Sequence, residues 1–124
     1  MPNLKSKTGS AGEDYTAKLL TQRGMRIIAR NYHSRYGEID IIAEDTAYIC
    51  FVEVKTRKRG SMVSGEESVT LSKQRKMIKT ALCWLSAHES LLQPRFDVCV
   101  VHTDKAGSIL SHDYYDGAFD ADGY

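Results

Sequence analysis

Long apolar segments are absent from this sequence. No apolar run approaches the roughly 20 residues that a helix needs to cross a bilayer. Residues 1–14 are polar and small, unlike a secretory signal with its charged tip and apolar core. We therefore expect a cytoplasmic location and no membrane partner.

Cysteine is scarce, and neither sign of charge is in large excess. The three cysteines lie far apart among apolar neighbours, which does not favour a disulfide framework. The four histidines show none of the paired spacings of a zinc site. The formal net charge of +1 does not by itself indicate a nucleic-acid-binding protein.

The length of the chain and the distribution of its charges are more informative than its net charge. The chain has 124 residues, 42% of them hydrophobic and 27% charged, which indicates one globular domain that buries about two-thirds of its surface on folding. Residues 1–79 carry a net charge of +6 and residues 80–124 carry −5. The basic residues concentrate at 55–59 and 73–79, as in a surface that contacts a polyanion, although a solvated loop and helix face would give the same pattern.

Hydrophobic periodicity predicts an α/β domain. Ser10 and Glu13 have the spacing of a capping box, which predicts a helix over residues 11–23, and Ser72 as N-cap predicts a second helix over 73–87. Apolar or alternating segments predict strands over 25–32, 37–44, 48–57, 95–102 and 107–115. The order αβββαββ indicates a mixed central β-sheet flanked by helices. We assign residues 1–9 to a flexible N-terminal tail, 10–115 to the domain and 116–124 to an acidic C-terminal tail.

The most informative spacing joins Asp40 to Glu53 and Lys55 on two consecutive strands. A hairpin loop of two or four residues places all three on one face of the sheet, with Ile39, Ile41 and Ala43 sharing the other; a three-residue loop turns Glu53 away unless a bulge restores it. Two adjacent carboxylates repel unless a proton or cation lies between them, and Mg²⁺ suits oxygen ligands. Lys55 would orient the attacking water. A surface Glu-x-Lys salt bridge is the simpler alternative, but these residues lie in an apolar strand, where an unpaired charge is costly.

These residues resemble two known groups of proteins. The set Asp40, Glu53 and Lys55, with Glu13 on a preceding helix, resembles the PD-(D/E)xK nuclease superfamily, particularly archaeal Holliday junction resolvases. Motifs along nearly the whole chain resemble the YraN family of small bacterial proteins. They are Gly12-Glu13, Gly24, Asn31, GEIDII at 37–42, FVEVKTR at 51–57, GEESV at 65–69, Lys73, RFDV at 95–98 and AF at 118–119.

The resemblance implies a restriction-endonuclease-like single domain, with residues 10–115 as the nuclease-like part. It implies that Asp40, Glu53 and the Val54 carbonyl bind Mg²⁺ or Mn²⁺. It also implies that Lys55 positions water and that Glu13 supplies a supporting carboxylate. Ile39 stands where the superfamily motif has proline, at a position that varies across the superfamily.

Three functions follow as hypotheses. The first is a Mg²⁺-dependent endonuclease that hydrolyses phosphodiester bonds in DNA, with branched or structured DNA among the candidate substrates and RNA left open. The second is a catalytically silent nucleic-acid-binding module with the same fold. The third is a protein-interaction domain that docks through its acidic tail. The intact set of acids and lysine favours the first. The predicted phosphate contacts are Arg57, Lys58, Arg59, Lys73 and Lys76, and a homodimer is left open.

Overall fold

The computed structural model describes residues 7–60 and 69–121, which form two helices and five strands. The helices are α1 (Lys7–Gln22) and α2 (Leu71–Ala87), and the strands are β1 (Arg26–Ser34), β2 (Gly37–Glu44), β3 (Tyr48–Lys58), β4 (Gln93–Thr103) and β5 (Ile109–Phe119). The α/β prediction is confirmed. Among the described residues, neither helix has the length and apolar character needed to cross a membrane.

All five strands form one sheet in the order β1-β2-β3-β4-β5. Strands β3 and β4 pair in parallel and the other neighbours pair antiparallel, so the sheet is mixed. The connection between the two parallel strands contains α2, as expected, because parallel neighbours need a crossover.

The two helices pack on opposite faces of the sheet. On the face that α1 covers, Leu20 packs in a buried cluster with Ile41 and Val52. On the face that α2 covers, Ile78 packs in a second cluster with Ile42 and Phe51. Consecutive residues of β2 and β3 thus point into different clusters, which is the alternation of a strand that is buried on both sides.

Several predicted boundaries are wrong. Helix α1 begins at Lys7, so Ser10 is an internal helical residue, the capping-box interpretation fails, and residues 7–9 of the predicted tail are helical. Helix α2 is capped by Thr70 rather than Ser72, because the Thr70 hydroxyl accepts from the Lys73 amide at 3.2 Å. Strand β5 continues to Phe119 and takes in the first residues assigned to the acidic tail. Residues 1–6 and 122–124 of the predicted tails lie outside the described residues.

The sheet is irregular around Asp40. Ile39 packs in the cluster under α2, whereas Ile41, two residues later, packs in the cluster under α1, which departs from the alternation of a regular strand. Because Ile42 also lies under α2, the strict alternation that placed Ile39, Ile41 and Ala43 on one face is wrong at Ile39. The partner residue on β1 is Asn31, which has a left-handed φ of 53°. The distorted backbone at Asn31 therefore lies opposite Asp40, the first carboxylate that the sequence predicts for the site.

Gly12 brings the first turns of α1 close to β3. A Cβ atom at this position would lie 2.6 Å from the Thr56 Oγ1 atom. We expect Gly12→Ala to lower the free energy of unfolding by about 1–3 kcal/mol, the usual cost of overpacking. Urea denaturation would measure this loss. In a Thr56→Ala background the same substitution should cost clearly less, and an equal cost in both backgrounds would show that this contact is not the cause.

Candidate active site

Three carboxylates predicted for the site are buried. The exposed fractions of Glu13 on α1, Asp40 on β2 and Glu53 on β3 are 4%, 6% and 5%. Carboxylates are almost never buried to this extent unless they are paired. These acids therefore lie in a setting that a surface salt bridge does not explain.

The β2–β3 register brings Asp40 next to β3. Ile41 pairs with Val52, so the same register continued by one residue places Asp40 opposite Glu53. This is the geometry predicted for a four-residue loop, and the Asp45 amide donates to the Tyr48 carbonyl at 3.0 Å to close that loop. The Val54 amide donates to the Asp40 Oδ2 atom at 2.8 Å. This bond fixes the Asp40 carboxylate against the backbone of β3.

Glu53 has two lysines on one carboxylate oxygen. The Glu53 Oε1 atom lies 3.3 Å from the Lys55 Nζ atom and 3.6 Å from the Lys73 Nζ atom. The Glu53 Oε2 atom is buried and, within the described residues, has no hydrogen-bond partner. Burial raises the pKa of the Glu53 carboxyl, the charge of Asp40 raises it further, and the two lysines oppose the shift. The second oxygen thus has an unmet need for a donor or a cation.

Lys73 enters the site in a way that the sequence did not predict. It was assigned to the outer phosphate-contacting set, yet the N-terminal turn of α2 brings its ammonium group to Glu53. Its side chain remains 30% exposed. It can therefore contact both the buried carboxylate and a ligand that approaches from solvent.

Glu13 is tied to the edge strand of the sheet. The Arg30 Nη2 atom lies 3.8 Å from the Glu13 Oε1 atom and 2.8 Å from the Asp14 Oδ1 atom. Arg30 pairs with Ile41, the residue after Asp40, so Glu13 contacts a residue whose backbone lies beside this part of β2. Arg30 is a candidate positioning residue that sequence reasoning missed, since nothing in its neighbours marks it.

Asn31 is a second residue of the site that the sequence analysis named only as a family motif. Its neighbours Arg30 and Tyr32 pair with Ile41 and Ile39, which places Asn31 opposite Asp40. Its Oδ1 atom is buried and has no hydrogen-bond partner among the described residues. The residues opposite Asp40 are thus Asn31 on β1 and Glu53 on β3. Each has a buried acceptor oxygen without a hydrogen-bond partner among the described residues. A positive φ at a non-glycine residue often accompanies a functional constraint.

A divalent cation fits this donor set with water completing the shell. Among the described residues, no three His, Cys, Asp or Glu side chains come together as a complete metal cage. Mg²⁺ does not need one, because it usually binds one or two carboxylates and keeps several waters or substrate phosphate oxygens. Asp40 and Glu53 provide two carboxylates, and the unsatisfied Glu53 Oε2 atom is an available ligand. The ligand role of the Val54 carbonyl stays a prediction.

The predicted phosphate contacts lie in different environments. Lys58, Arg59 and Lys76 are exposed, whereas Arg57 is half-buried. The Arg57 Nη1 atom donates to the Thr56 carbonyl at 3.4 Å, and its Nε atom is buried without a hydrogen-bond partner in the described part of the chain. Arg57 is therefore partly enclosed by the protein, unlike the three exposed basic residues.

Comparison with known proteins shows one consistent similarity. Residues 12–101 match the model of a family described as "Uncharacterised protein family UPF0102". A UPF0102 protein of Syntrophotalea carbinolica is 41% identical over 118 residues, which cover 94% of each chain. One from Myxococcus xanthus is 36% identical over 97% of this chain and 94% of its own. One from Rhodococcus opacus is 47% identical over 75% of this chain and 80% of its own.

Proposed function

The chain belongs to the UPF0102 family, which is the YraN family indicated by its motifs, and from its site we propose that it is a metal-dependent endonuclease of the PD-(D/E)xK type that cleaves DNA. One observation carries the proposal: the buried Glu53 carboxylate has two lysines on one oxygen and a second oxygen that has no hydrogen-bond partner among the described residues. A purely structural salt bridge would not leave a buried oxygen without a partner.

The residues of the chain have separable roles in this proposal. Asp40, fixed by the Val54 amide, and Glu53 would hold Mg²⁺ or Mn²⁺, which supplies Lewis-acid stabilisation and an acidified water. Lys55, held on Glu53, would orient the attacking water and offset charge that develops on the phosphate. In this proposal Lys55, 3.3 Å from the Glu53 Oε1 atom, acts through its charge and its hydrogen bonds rather than as a base.

The alternative is a nucleic-acid-binding module without turnover. Both functions would use the basic surface, but only the enzyme would use the buried carboxylates. A binding module gains nothing from Glu13, Asp40 and Glu53 all buried in one region, because each buried carboxylate costs desolvation free energy. The donor set therefore favours the enzyme. A cytoplasmic location and a homodimer stay predictions.

The direct test is cleavage of a panel of branched and linear DNAs by the purified protein. We expect cleavage with Mg²⁺ or Mn²⁺ and none with EDTA. Comparing junction, nicked, single-stranded and duplex substrates would define the preferred structure. Metal-dependent DNA binding without cleavage of any member of the panel would favour the binding module.

Metal binding should be visible without any substrate. At 10 mM Mg²⁺ and a dissociation constant on the order of 1 mM, binding to the folded state alone stabilises it by about 1.4 kcal/mol. We expect Asp40→Asn to remove most of this gain in a thermal-unfolding experiment. The metal-free variant should be no less stable, because asparagine can still accept from the Val54 amide while one of two repelling charges is gone.

Asp113→Asn is a matched control for that measurement. Asp113 lies on β5, its side chain is 58% exposed, and it pairs with His102 away from the buried acids. The control should keep the full Mg²⁺-induced stabilisation. An Asp40→Asn variant that also keeps it would remove Asp40 from the metal site.

A further inference from the structure

The turn between β1 and β2 carries an aromatic ring with two cations on it. Arg35 and Tyr36 lie in this turn, and Lys79 of α2 lies beside it; we call the three residues the hairpin tip. The Arg35 Cζ atom is 5.0 Å from the centre of the Tyr36 ring, and its Nη2 atom donates to the Tyr36 hydroxyl at 2.8 Å. The Lys79 Nζ atom is 5.4 Å from the same ring centre. The ring thus holds both positive charges in one place.

The turn is attached to α2 by side-chain contacts. The hydroxyl groups of Ser34 and Thr80 form a hydrogen bond of 2.8 Å, and the Tyr36 amide donates to the Ser34 hydroxyl at 3.0 Å. Gly37 lies against Lys76, since a Cβ atom at Gly37 would lie 3.4 Å from the Lys76 Cβ atom. The hairpin tip therefore has a defined position relative to the helix, which reduces the entropy lost when it binds a ligand.

The two cations of the hairpin tip have no acidic partner in residues 7–60 and 69–121. The ion pairs found there involve other basic residues. Arg35 and Lys79 are both exposed. Two adjacent positive charges that no carboxylate neutralises form a surface that favours an anion.

The hairpin tip lies on a path of positive charge that begins at the candidate active site. Lys73, Lys76 and Lys79 follow each other at intervals of three residues along α2, which makes them neighbours in one row. Six residues of helix span about 9 Å, and successive base pairs of duplex DNA rise by about 3.4 Å. The distance along the row, from Lys73 beside Glu53 to Lys79 at the hairpin tip, thus corresponds to two to three base-pair steps.

We infer that the hairpin tip binds the phosphate backbone of the nucleic-acid substrate two to three nucleotides away from the bond that is cut. This inference rests on the proposed function for the position of the cut. The Tyr36 ring holds Arg35 and Lys79 together, and the two cations contact successive phosphates. The binding surface consequently extends along the outer side of α2 to the β1–β2 turn. It includes Arg35, which lies outside both basic segments of the sequence, and Lys79, which is not among the five predicted phosphate contacts.

The test measures binding of a fluorescein-labelled DNA duplex in EDTA, so that no cleavage intervenes. We expect Arg35→Gln/Lys79→Gln to lower the affinity by at least about 10-fold and to flatten the slope of log affinity against log salt by about 1.8, or 0.9 for each lost phosphate contact. Lys18→Gln/Arg26→Gln is the matched control. It also removes two positive charges, from exposed positions on α1 and at the far end of β1.

The binding measurement tests the role of the hairpin tip, whereas the cleavage panel tests the proposed function. Equal affinity and salt slope in the two double variants, or no DNA binding by the wild type, would overturn the role of the hairpin tip and leave nuclease activity to the cleavage panel. Weak, flattened binding by the Arg35→Gln/Lys79→Gln variant alone would establish that role. If the wild type then cleaved no DNA, the phosphate contact of the hairpin tip would stand, whereas the nuclease proposal and the spacing from a cut bond would both fall.

Discussion

Replacing Glu53 by glutamine is expected to lower metal-dependent DNA cleavage by at least about 100-fold, the usual effect of removing an electrostatic or acid-base group from an active site. Glutamine has nearly the same shape but no charge to bind a cation or to hold Lys55 and Lys73, whose ammonium groups lie 3.3 Å and 3.6 Å from the Glu53 Oε1 atom. Initial cleavage rates at saturating Mg²⁺ would measure the loss.

Stability and DNA binding should survive the same change. Glu53 is a buried carboxylate with one unsatisfied oxygen, so removing its charge relieves a desolvation cost. Glu44→Gln is the control, because Glu44 lies at the end of β2, the partner strand of β3 in the same hairpin, and pairs with Arg26 rather than with a site residue. If Glu53→Gln cleaved as fast as Glu44→Gln, the proposed active site would be wrong.

A second large effect is expected at Asp97, which lies opposite Val52 on the strand beside β3 and takes no part in the proposed chemistry. Asp97 lies on β4 and has no exposed surface. The Arg95 guanidinium donates to both Asp97 oxygens at 2.9 Å and 3.0 Å. The Tyr114 hydroxyl donates at 2.6 Å, and the Gly117 amide donates at 3.0 Å. Asp97 thus joins β4 to the later half of β5.

We expect Asp97→Ala to lower the free energy of unfolding by about 3–5 kcal/mol, because the buried partners of this charge lose their shared acceptor and β5 loses these side-chain links to β4. This is a large part of the about 5–15 kcal/mol that stabilises an ordinary domain. Urea denaturation followed by circular dichroism would measure the loss.

Asp116→Ala is the control, because Asp116 is an exposed aspartate of β5 outside the buried network. Its replacement should change the free energy of unfolding by less than about 0.5 kcal/mol. A similarly small effect for Asp97→Ala would show that Arg95 and Tyr114 find other partners. The Asp97 variant should also keep DNA affinity per folded molecule, since its side chain contacts none of the site residues.

The Asp40–Glu53 pairing could be predicted because it depends on strand period and loop length. Both are local properties of residues 37–58, and the observed register is one of the two that the sequence left open. The start of α1 could not be predicted in the same way. Residues 7–9 have no apolar side chain to mark a buried face, yet a helix already nucleated by packing extends at little cost, one hydrogen bond per added residue.

The residues that were missed depend on how separate elements dock. Lys73 reaches Glu53 only because α2 packs against the sheet with its N-terminal turn near that residue, and the Tyr36 ring meets Lys79 only because the β1–β2 turn is attached to the same helix. Neither position has a distinguishing neighbour in sequence. Asp97 did have a signal that was not used, since a charge within an apolar strand implies a buried partner.

Because β3 pairs in parallel with β4, the strand that carries Glu53 and Lys55 gains its second neighbour late in synthesis. Glu13, Asp40, Glu53 and Lys55 all precede residue 60, but β3 is a central strand whose second neighbour, β4, is the fourth strand in the chain. A nascent chain that has emerged from the ribosome only as far as α2 therefore contains every predicted catalytic residue with β3 still an edge strand. For the proposed nuclease we therefore expect no cleavage by such a chain, because the strand that carries Glu53 and Lys55 gains its second neighbour only when the last third of the protein has been synthesised.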